Sequence, residues 1–168
     1  MKNILLIGGS YGIGLAIAKE IESGNNVFVA SRTNENLEDL NVTHIPFDAL
    51  NDTLDLSTLP AVIDGLVYCP GSINLRPFRG LKPEAFENDL QINFISLVKV
   101  IQSVLPNLTA SEQSSIVLFS SVAASMGMPF HTSVAASKGA IEGFAKALAA
   151  EYAPKIRVNV IAPSLTDT

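Results

Sequence analysis

The residues most suggestive of chemistry lie at the start of the sequence, where an apolar run leads into glycines. Residues 4–7 are wholly apolar and are followed at once by Gly8-Gly9-Ser10-Tyr11-Gly12-Ile13-Gly14. Glycines in such a turn permit unusual backbone angles and let a bulky ligand approach the main chain. A helical pattern over 15–21 begins directly afterwards, so its free N–H groups would point at the turn. We interpret the three parts as the strand, phosphate-binding turn and helix of a dinucleotide-binding unit.

The spacing of these glycines differs from the commoner G-x-G-x-x-G. Gly8, Gly12 and Gly14 form a G-x-x-x-G-x-G pattern instead. A glycine motif alone is weak evidence, and an ordinary turn between a strand and a helix is the alternative interpretation. Support for a cofactor site must therefore come from the rest of the chain.

The residues that follow a second apolar run, 27–30, would select between the two nicotinamide cofactors. An acidic residue at this place binds the ribose hydroxyls of NAD in dinucleotide-binding folds. Ser31 and Arg32 stand here instead. A guanidinium can bind a 2′-phosphate through charge-assisted hydrogen bonds, and a hydroxyl can add another. The sequence therefore favours NADP over NAD, with a solvated arginine in a turn as the alternative for Arg32.

Two further polar residues could contact a ligand, and each has a purely structural alternative. Asp48 ends the third predicted strand, where it could accept a hydrogen bond from an adenine amino group or cap its own turn. Asn93 falls inside the apolar stripe of a long predicted helix. A buried amide must find partners. Asn93 therefore either bonds the backbone and bends the helix, or holds a water near an active site.

Lys138 lies near the start of a second long predicted helix, one turn after Val134 and on the same face. Its neighbours are small, so its side chain could reach into a cleft, or it could extend to water as lysines ordinarily do. The helix is slim, which permits close packing on the sheet or on a partner subunit. Its small residues include Ala135, Ala136, Gly139, Ala140, Gly143 and Ala147.

The elements that must position these residues alternate between strands and helices. The predicted strands are 4–7, 27–30, 43–47, 63–68, 115–119 and 156–161. The predicted helices are 15–21, a short one over 35–40 capped by Thr33, 83–105, which Pro83 starts and Pro106 ends, and about 133–152. This alternation predicts βαβ units and a doubly wound parallel sheet. Ligands of such sheets bind beyond the carboxyl ends of the strands, where the polar residues above fall.

Composition limits the class of protein. The 168 residues are predicted to form one domain, 1–168, and 48% hydrophobic with 16% charged residues fits a heavily buried α/β protein. The net charge of −5 without a basic stripe argues against nucleic acid as a partner. The single cysteine, Cys69, excludes an internal disulfide, offers no metal cluster and favours a cytoplasmic location. We expect no signal peptide and no membrane partner, because no apolar stretch approaches the roughly 20 residues of a membrane span.

Taken in order, these motifs resemble those of the short-chain dehydrogenase/reductase family over essentially the whole chain. The matching segments are the glycine motif, Asp48, Pro70-Gly71, Ile92-Asn93-Phe94, Ser120-Ser121-Val122, Ser137-Lys138-Gly139-Ala140 and 157–163. The resemblance implies a Rossmann-type sheet in three α/β/α layers and NAD(P)-dependent redox chemistry on a small carbonyl or alcohol. It also implies homodimers or homotetramers built on the two long helices.

The resemblance further implies roles for individual residues. Asn93 would hold a water of a proton relay, Ser121 would bind the substrate carbonyl, and Lys138 would bind the nicotinamide ribose. Lys138 would also lower the pKa of a catalytic tyrosine. Further cofactor contacts implied in this way are Ala49, Pro70, Gly71, Pro163, Thr166 and Thr168.

The chain departs from the family's pattern at the tyrosine, four residues before Lys138, where it has Val134. Valine has neither a proton to give nor a lone pair to accept one. Ser121 acting through a water, or His131 one turn earlier, could substitute, although His131 could equally be a solvated loop residue. The family's Asn-Asn-Ala-Gly is Tyr68-Cys69-Pro70-Gly71 here, and its Pro-Gly is Pro163-Ser164.

The end of the sequence is a further difference. Relatives continue beyond Thr168 through a substrate-covering segment and a seventh strand. We therefore expect a C-terminus that is truncated or partly unobserved. The residues that would choose the substrate lie in 72–81, in 123–132 and beyond Thr168. Met126, Met128 and Phe130 suggest an apolar wall there, or ordinary packing.

Three hypotheses about function follow from these residues. The first is an NADP-preferring oxidoreductase that acts on a small carbonyl or alcohol with an altered proton donor. The second, motivated by Val134, is a catalytically silent NADP-binding sensor or scaffolding subunit on the same fold. The third, a structural protein with an empty cleft, would require the glycine turn and Arg32 to be incidental.

Overall fold

The fold is a parallel β-sheet of six strands with helices packed on its two faces, as the sequence predicts. The computed structural model describes residues 1–166. In chain order the strands are β1 Asn3–Ile7, β2 Asn26–Ser31, β3 Val42–Pro46, β4 Gly65–Tyr68, β5 Ser114–Phe119 and β6 Ile156–Ile161. Their order in the sheet is β3-β2-β1-β4-β5-β6. The order reverses between β1 and β4, which is where ligands bind in doubly wound sheets.

Four α-helices accompany the sheet in the part of the chain that the structure describes. They are α1 Gly12–Ile21, α2 Pro83–Leu90, α3 Ser96–Ala110 and α4 Thr132–Tyr152. A single π-helical turn, Gln91–Ile95, joins α2 to α3, so the two form one continuous helix over 83–110. Short 3₁₀ turns lie at Glu35–Leu37, Phe78–Gly80 and Val122–Ala124.

The core has a larger and a smaller part, one on each face of the sheet. Alternate residues of the central strands, such as Leu5, Leu66 and Ile116, are buried against α3 and α4. The residues between them, such as Leu6 and Val29, are buried against α1. Because strands buried on both faces need apolar side chains at every position, they occur as continuous apolar runs in the sequence.

Some of the sequence-predicted boundaries are wrong for identifiable reasons. The fourth strand begins at Gly65 rather than at residue 63, because the Ile63 N–H bonds the Asn107 carbonyl of α3 and not the sheet. The predicted helix over 35–40 is only a 3₁₀ turn, of which Leu37 alone is buried. Its N-cap is Asn34 rather than Thr33. An element with one buried side chain lacks the packing that stabilises a longer helix.

Pro106 does not end the long helix, contrary to the prediction. The helix continues to Ala110 with Pro106 inside it. Interior proline costs about 3 kcal/mol because it removes a backbone hydrogen bond. Val104 and Leu108 on either side are fully buried, and the burial of two such side chains contributes roughly as much.

The same continuous helix, 83–110, is long and apolar enough to cross a membrane by length and composition. The expectation that no stretch meets this criterion is therefore wrong. Its apolar stripe packs on the sheet, with Leu97, Ile101 and Leu108 in the larger core. The core helix of a folded α/β protein passes the same test, so the finding is weak evidence for a membrane span.

Candidate active site

The glycine turn after β1 has the geometry that an anion-binding turn requires. Gly8 and Gly12 have φ angles of +77° and +54°, in a backbone region that residues other than glycine rarely adopt. A Cβ on Gly14 would overlap the carbonyl oxygen of Gly8, so the start of α1 lies directly on the turn. Tyr11 is the N-cap residue of α1, and its side chain makes no capping hydrogen bond. The first N–H groups of α1 are therefore available to a ligand.

A cavity of about 250 Å³ opens beside this turn, beyond the carboxyl ends of the first four strands. It brings together most of the residues that the sequence predicted to bind the cofactor. These are Gly8, Ser10, Tyr11, Ser31, Arg32, Asp48, Ala49, Pro70 and Gly71. Residues that the sequence did not single out also line it, namely Ile7, Ala30, Phe47, Leu50, Cys69 and Ile92. They are apolar or weakly polar and, apart from Leu50 and Ile92, lie at the ends of strands, so no sequence signal separates them from the core.

Arg32 lies at the end of this cavity that is nearest to β2, and its side chain is exposed to solvent. Ser31 is buried, and its hydroxyl donates to the Thr33 carbonyl over 2.8 Å. Arg32 is therefore the freer of the two predicted 2′-phosphate contacts. Thr33 Oγ1 also lies 3.4 Å from Ser10 Oγ, which ties this turn to the glycine turn.

Asp48 caps its own turn, which is the structural alternative that the sequence left open. Its two carboxylate oxygens accept from the Leu50 N–H at 2.9 Å and from Asn51 Nδ2 at 3.0 Å. The Leu50 N–H, with smaller contributions from Asn51 and the Arg32 charge, holds the pKa of Asp48 below its ordinary value. The carboxylate lines the cavity, and a contact with adenine stays a prediction.

Asn93 lies in the π-helical turn and is fully buried. Its Nδ2 donates to the Asp89 carbonyl at 2.9 Å and to Ser72 Oγ at 3.1 Å, while its Oδ1 accepts from the Ser72 N–H at 3.2 Å. Both N–H donors of the amide are thus used within the protein, and one lone pair of Oδ1 is left. The bond to Asp89 is the backbone hydrogen bond that one alternative predicted, at an interruption of the α-helix.

Tyr68, at the end of β4, fixes the same turn from the side of the sheet. Its hydroxyl donates to the Ile92 carbonyl over 3.0 Å. Burial raises the pKa of Tyr68, so the phenol keeps the proton that this bond uses. The position of Asn93 is therefore set by a sheet residue as well as by its own helix.

Lys138 does not extend to water. Its side chain is 9% exposed, and its Nζ donates to the Phe119 carbonyl at the end of β5 over 2.9 Å. A Cβ built on Gly71 would lie 3.2 Å from Lys138 Nζ and 2.8 Å from Asn93 Oδ1. The lysine, the asparagine and the rim of the cavity thus meet at Gly71. Burial lowers the pKa of Lys138 to about 8, with a smaller opposing effect from Cys69.

Ser121 lies two residues after Phe119, whose carbonyl holds Lys138. Its Oγ accepts from the Ala123 N–H over 3.2 Å, which caps the short turn Val122–Ala124. Because the oxygen accepts in this bond, the hydroxyl proton is free to be donated to a substrate. The preceding Ser120 is buried and donates to Glu142 at 2.7 Å, so it supports α4 rather than the site.

Val134 is 4% exposed and lies one turn before Lys138 in α4. His131, the N-cap residue of α4, makes a bond of 2.7 Å between its Nδ1 and the Pro129 carbonyl. A carbonyl only accepts, so Nδ1 must carry the proton and Nε2 is left for other partners. Met126, Met128 and Phe130 in the preceding loop are 65%, 40% and 55% exposed, so they do not pack in the core.

The predicted contacts near the C-terminus lie apart from the cavity. The Pro163 carbonyl accepts from the Val122 N–H at 3.1 Å, and the Thr166 hydroxyl donates to the Ser164 carbonyl at 3.2 Å. Thr168 lies outside the described residues. The roles that the resemblance implies for these residues stay predictions.

Sequence reasoning missed Ser72 and Asp89, which hold Asn93 in place. Ser72 Oγ donates to Asp89 Oδ1 over 2.6 Å, and Asp89 is 3% exposed. A signal for Asp89 exists in the sequence. It precedes Asn93, Leu97 and Ile101 at intervals of four residues, so it falls on the same buried stripe of the helix.

The buried amine of Lys138 should make the stability of the protein depend on pH. Its pKa falls from an ordinary 10.5 to about 8 on folding, so the unfolded chain binds more protons between these values and the free energy of unfolding rises with pH. Burial raises the pKa of Cys69 from 9.0 to about 12, and this opposes the rise above pH 9. The rise should therefore be clearest between about pH 7.5 and 9.

Urea unfolding across this range checks the expectation. The free energy of unfolding of the natural sequence should increase, and Lys138→Met should remove the increase because methionine has no proton to lose. Lys146→Met, which alters an exposed lysine of the same helix, should keep it. An increase that survives in Lys138→Met would show that another group is responsible.

Fold and site together define a nucleotide-binding α/β protein with the 3-2-1-4-5-6 strand order. A family model described as short chain dehydrogenase matches residues 2–168. The chain belongs to this family of oxidoreductases, as the motifs predicted. A 3-oxoacyl-[acyl-carrier-protein] reductase from Buchnera aphidicola is 30% identical, over 99% of this chain and 74% of that protein. An L-xylulose reductase from Bos taurus is 29% identical, over 99% and 72%.

Solved structures agree with this assignment. A short-chain dehydrogenase from Streptomyces avermitilis superposes with a TM-score of 0.91 over 99% of this chain and 67% of that chain, at 24% identity, which shows the fold. A short chain dehydrogenase from Escherichia coli, complexed with NADPH, has a TM-score of 0.89 at 26% identity. That alignment covers 97% of this chain and 76% of the Escherichia coli chain.

The residues of the cavity fit a nicotinamide dinucleotide. The uncapped N-terminus of α1 suits a pyrophosphate, and the lack of a side chain at Gly8 and Gly14 lets the turn pack closely on Pro70 and on the start of α1. Arg32 supplies a positive charge at one end, and Lys138 supplies another beside Gly71. When bound, the cofactor would supply hydride chemistry, and the protein would supply binding, orientation and proton transfer.

Proposed function

We propose that the protein is an NADP-preferring oxidoreductase that interconverts small carbonyl compounds and alcohols, with a proton donor other than tyrosine. The observation that carries this proposal is the buried amine of Lys138 beside Gly71, which lines the cavity. Burial of a lysine destabilises the charged form, so a lysine in this place is better explained by a ligand than by stability. Family membership supports the redox class.

Each of the three predicted catalytic residues has a task that its contacts allow. Ser121 donates its free hydroxyl proton to the substrate carbonyl oxygen and so orients the carbonyl group. Lys138 binds the ribose next to the nicotinamide and passes a proton on toward the group that protonates the substrate oxygen. Asn93 keeps one Oδ1 lone pair beside Lys138, where it holds a water that resupplies the proton. Reduction requires this proton because the carbonyl oxygen becomes a hydroxyl.

His131 is the candidate for the missing proton donor. It lies three residues before Val134 and seven before Lys138, which places the three on one face of the start of α4. Helical side chains lean toward the N-terminus, so a tyrosine at 134 would lie over the turn that contains His131. The ring is fixed by the bond from its Nδ1 to the Pro129 carbonyl. Ser121 acting through a water is the second candidate.

NADPH oxidation in the presence of small aldehydes and ketones tests the proposed function. At least one carbonyl compound should be reduced, and Ser121→Ala should lower the rate without weakening NADPH binding. No oxidation above background across a broad panel, by protein that binds NADPH, would contradict it.

Arg32 is expected to set the preference for NADP. Removal of a charge-assisted hydrogen bond to a phosphate costs about 1.5–3 kcal/mol, so Arg32→Ala should weaken NADPH binding by roughly 10- to 100-fold. The affinity for NADH, which has no 2′-phosphate, should change little. Paired titrations of both cofactors measure this. Arg79→Ala, which removes an exposed arginine that does not line the cavity, should leave both affinities as they are. Equal losses for NADPH and NADH would refute a role in selection.

Val134 favours a second candidate, a catalytically silent NADP-binding sensor or scaffolding subunit. The cavity and the glycine turn would be retained for binding, while valine at this position cannot exchange a proton. NADPH binding without turnover, together with activity gained by Val134→Tyr, would support this candidate. Turnover by the natural sequence would exclude it.

A further inference from the structure

A buried aspartate on α2 is connected to Asn93 through a serine of the loop that follows β4. Ser72 Oγ donates to Asp89 Oδ1 over 2.6 Å, a length typical of a charge-assisted bond. Asn93 Nδ2 donates to the same Ser72 oxygen over 3.1 Å. Asp89 is 3% exposed and Asn93 is fully buried, so water has little access to these bonds.

The direction of these bonds determines the orientation of the Asn93 side-chain amide, that is, which partners Oδ1 and Nδ2 face. A carboxylate oxygen only accepts, so the single proton of the Ser72 hydroxyl is given to Asp89. The Ser72 oxygen can then only accept from Asn93, which presents Nδ2 to it and also to the Asp89 backbone carbonyl, so the serine bond adds to a backbone bond that favours the same orientation. Asn93 Oδ1 is thereby turned toward the Ser72 N–H and Gly71, the residue beside which Lys138 Nζ also lies. An amide rotated by half a turn would place donors opposite the ammonium group.

Stability does not account for Asp89. Its second oxygen, Oδ2, is buried without a hydrogen-bond partner among the described residues. A buried carboxylate with an unpaired oxygen destabilises a fold. Among residues 1–166, the side-chain oxygens of Asp89 accept one hydrogen bond, from Ser72. Any functional effect of Asp89 is therefore exerted through its bond with Ser72.

We propose that Asp89 is a positioning residue that acts through Ser72 to orient the Asn93 amide, so that an acceptor faces the Lys138 ammonium group. The proposal deepens the proposed function and rests on it, because Asn93 there holds the water that resupplies protons to Lys138. Asp89 itself contacts neither cofactor nor substrate. Ser72 and Asp89, which are hydrogen-bonded to each other, lie 17 residues apart in the sequence, so this bond forms only in the folded protein.

Ser72→Val and Ser72→Thr form a matched pair for the test, because the two side chains have the same shape and only threonine keeps a hydroxyl. Ser72→Val should lower kcat for NADPH-dependent carbonyl reduction about tenfold, the effect of one lost hydrogen bond of this kind. Ser72→Thr should stay within about twofold of the natural sequence, and the Kd for NADPH should change in neither. Asp89→Leu should resemble Ser72→Val, and the double variant should be no worse than either single one.

The side-chain amide protons of Asn93 give a readout that is independent of turnover. In proton–nitrogen NMR spectra they should be protected from exchange with solvent in the natural sequence and in Ser72→Thr, and exchange faster in Ser72→Val. Faster exchange in Ser72→Val without turnover by any variant, the natural sequence included, would overturn the proposed function and support the orienting role. Unchanged protection in Ser72→Val, or equal kcat for the valine and threonine variants of an active enzyme, would overturn the inference.

Discussion

Gly14→Ala should abolish measurable NADPH binding while the protein stays folded. The methyl group would overlap the carbonyl oxygen of Gly8, which is backbone and cannot move away alone. The turn and the start of α1 would have to separate, and the N–H groups that face the pyrophosphate would no longer converge. Loss of two such charge-assisted bonds is worth about 3 kcal/mol or more, which corresponds to at least roughly a 100-fold loss of affinity.

Fluorescence titration with NADPH measures this effect, and circular dichroism with thermal unfolding verifies that the variant is folded. Gly80→Ala is the matched control, because a Cβ on Gly80 meets nothing within 4 Å. It should bind NADPH like the natural sequence. A folded Gly14→Ala protein with unchanged affinity would show that the glycine turn is not the cofactor site.

Val134→Tyr is expected to raise carbonyl reduction by about 10²–10⁴, the usual contribution of a positioned general acid. The residue lies on the same face of α4 as Lys138 and one turn before it, so a phenol there would stand close to a positive charge that favours its ionised form. Steady-state kcat/KM with NADPH and the best carbonyl substrate of the natural sequence measures the gain. If the natural sequence has no turnover, activity should appear in the variant.

Val134→Phe separates the chemistry from the size of the new side chain. Phenylalanine fills the same space but has no hydroxyl, so any cost of replacing the buried Val134 is common to both variants. The tyrosine variant should exceed the phenylalanine variant by the whole expected gain. Equal rates in the two would show that residue 134 does not stand where a proton is transferred.

The fold and the meeting place of the site residues were predictable from the sequence. Continuous apolar runs such as 4–7 and 27–30 identify buried parallel strands without knowledge of tertiary structure. Once the strands are parallel, their carboxyl ends share one edge of the sheet, so the residues after β1, β2 and β4 must lie near one another. For this reason the glycine turn, Arg32 and Gly71 were correctly placed around one cavity.

The burial and the hydrogen-bond partners of the site residues could not be predicted from the sequence, because they depend on contacts between distant segments. The sequence does not decide whether Lys138 enters a cleft or extends to water, because its burial depends on the contact between its amine and the Phe119 carbonyl at the end of β5. The same holds for Asn93, whose partner Ser72 lies 21 residues away. The rule that proline ends a helix failed at Pro106. The helix continues through this residue because the burial of Leu108, beyond it, stabilises the helical conformation.

Titration of the folded natural sequence with NADPH and with NADH tests the central claim most directly. The account predicts saturable binding of a nicotinamide nucleotide, tighter for NADPH than for NADH, with the affinity lost in Gly14→Ala and the preference lost in Arg32→Ala. Absence of saturable binding of either nucleotide to folded protein would contradict the cofactor site, and with it both the oxidoreductase and the silent sensor.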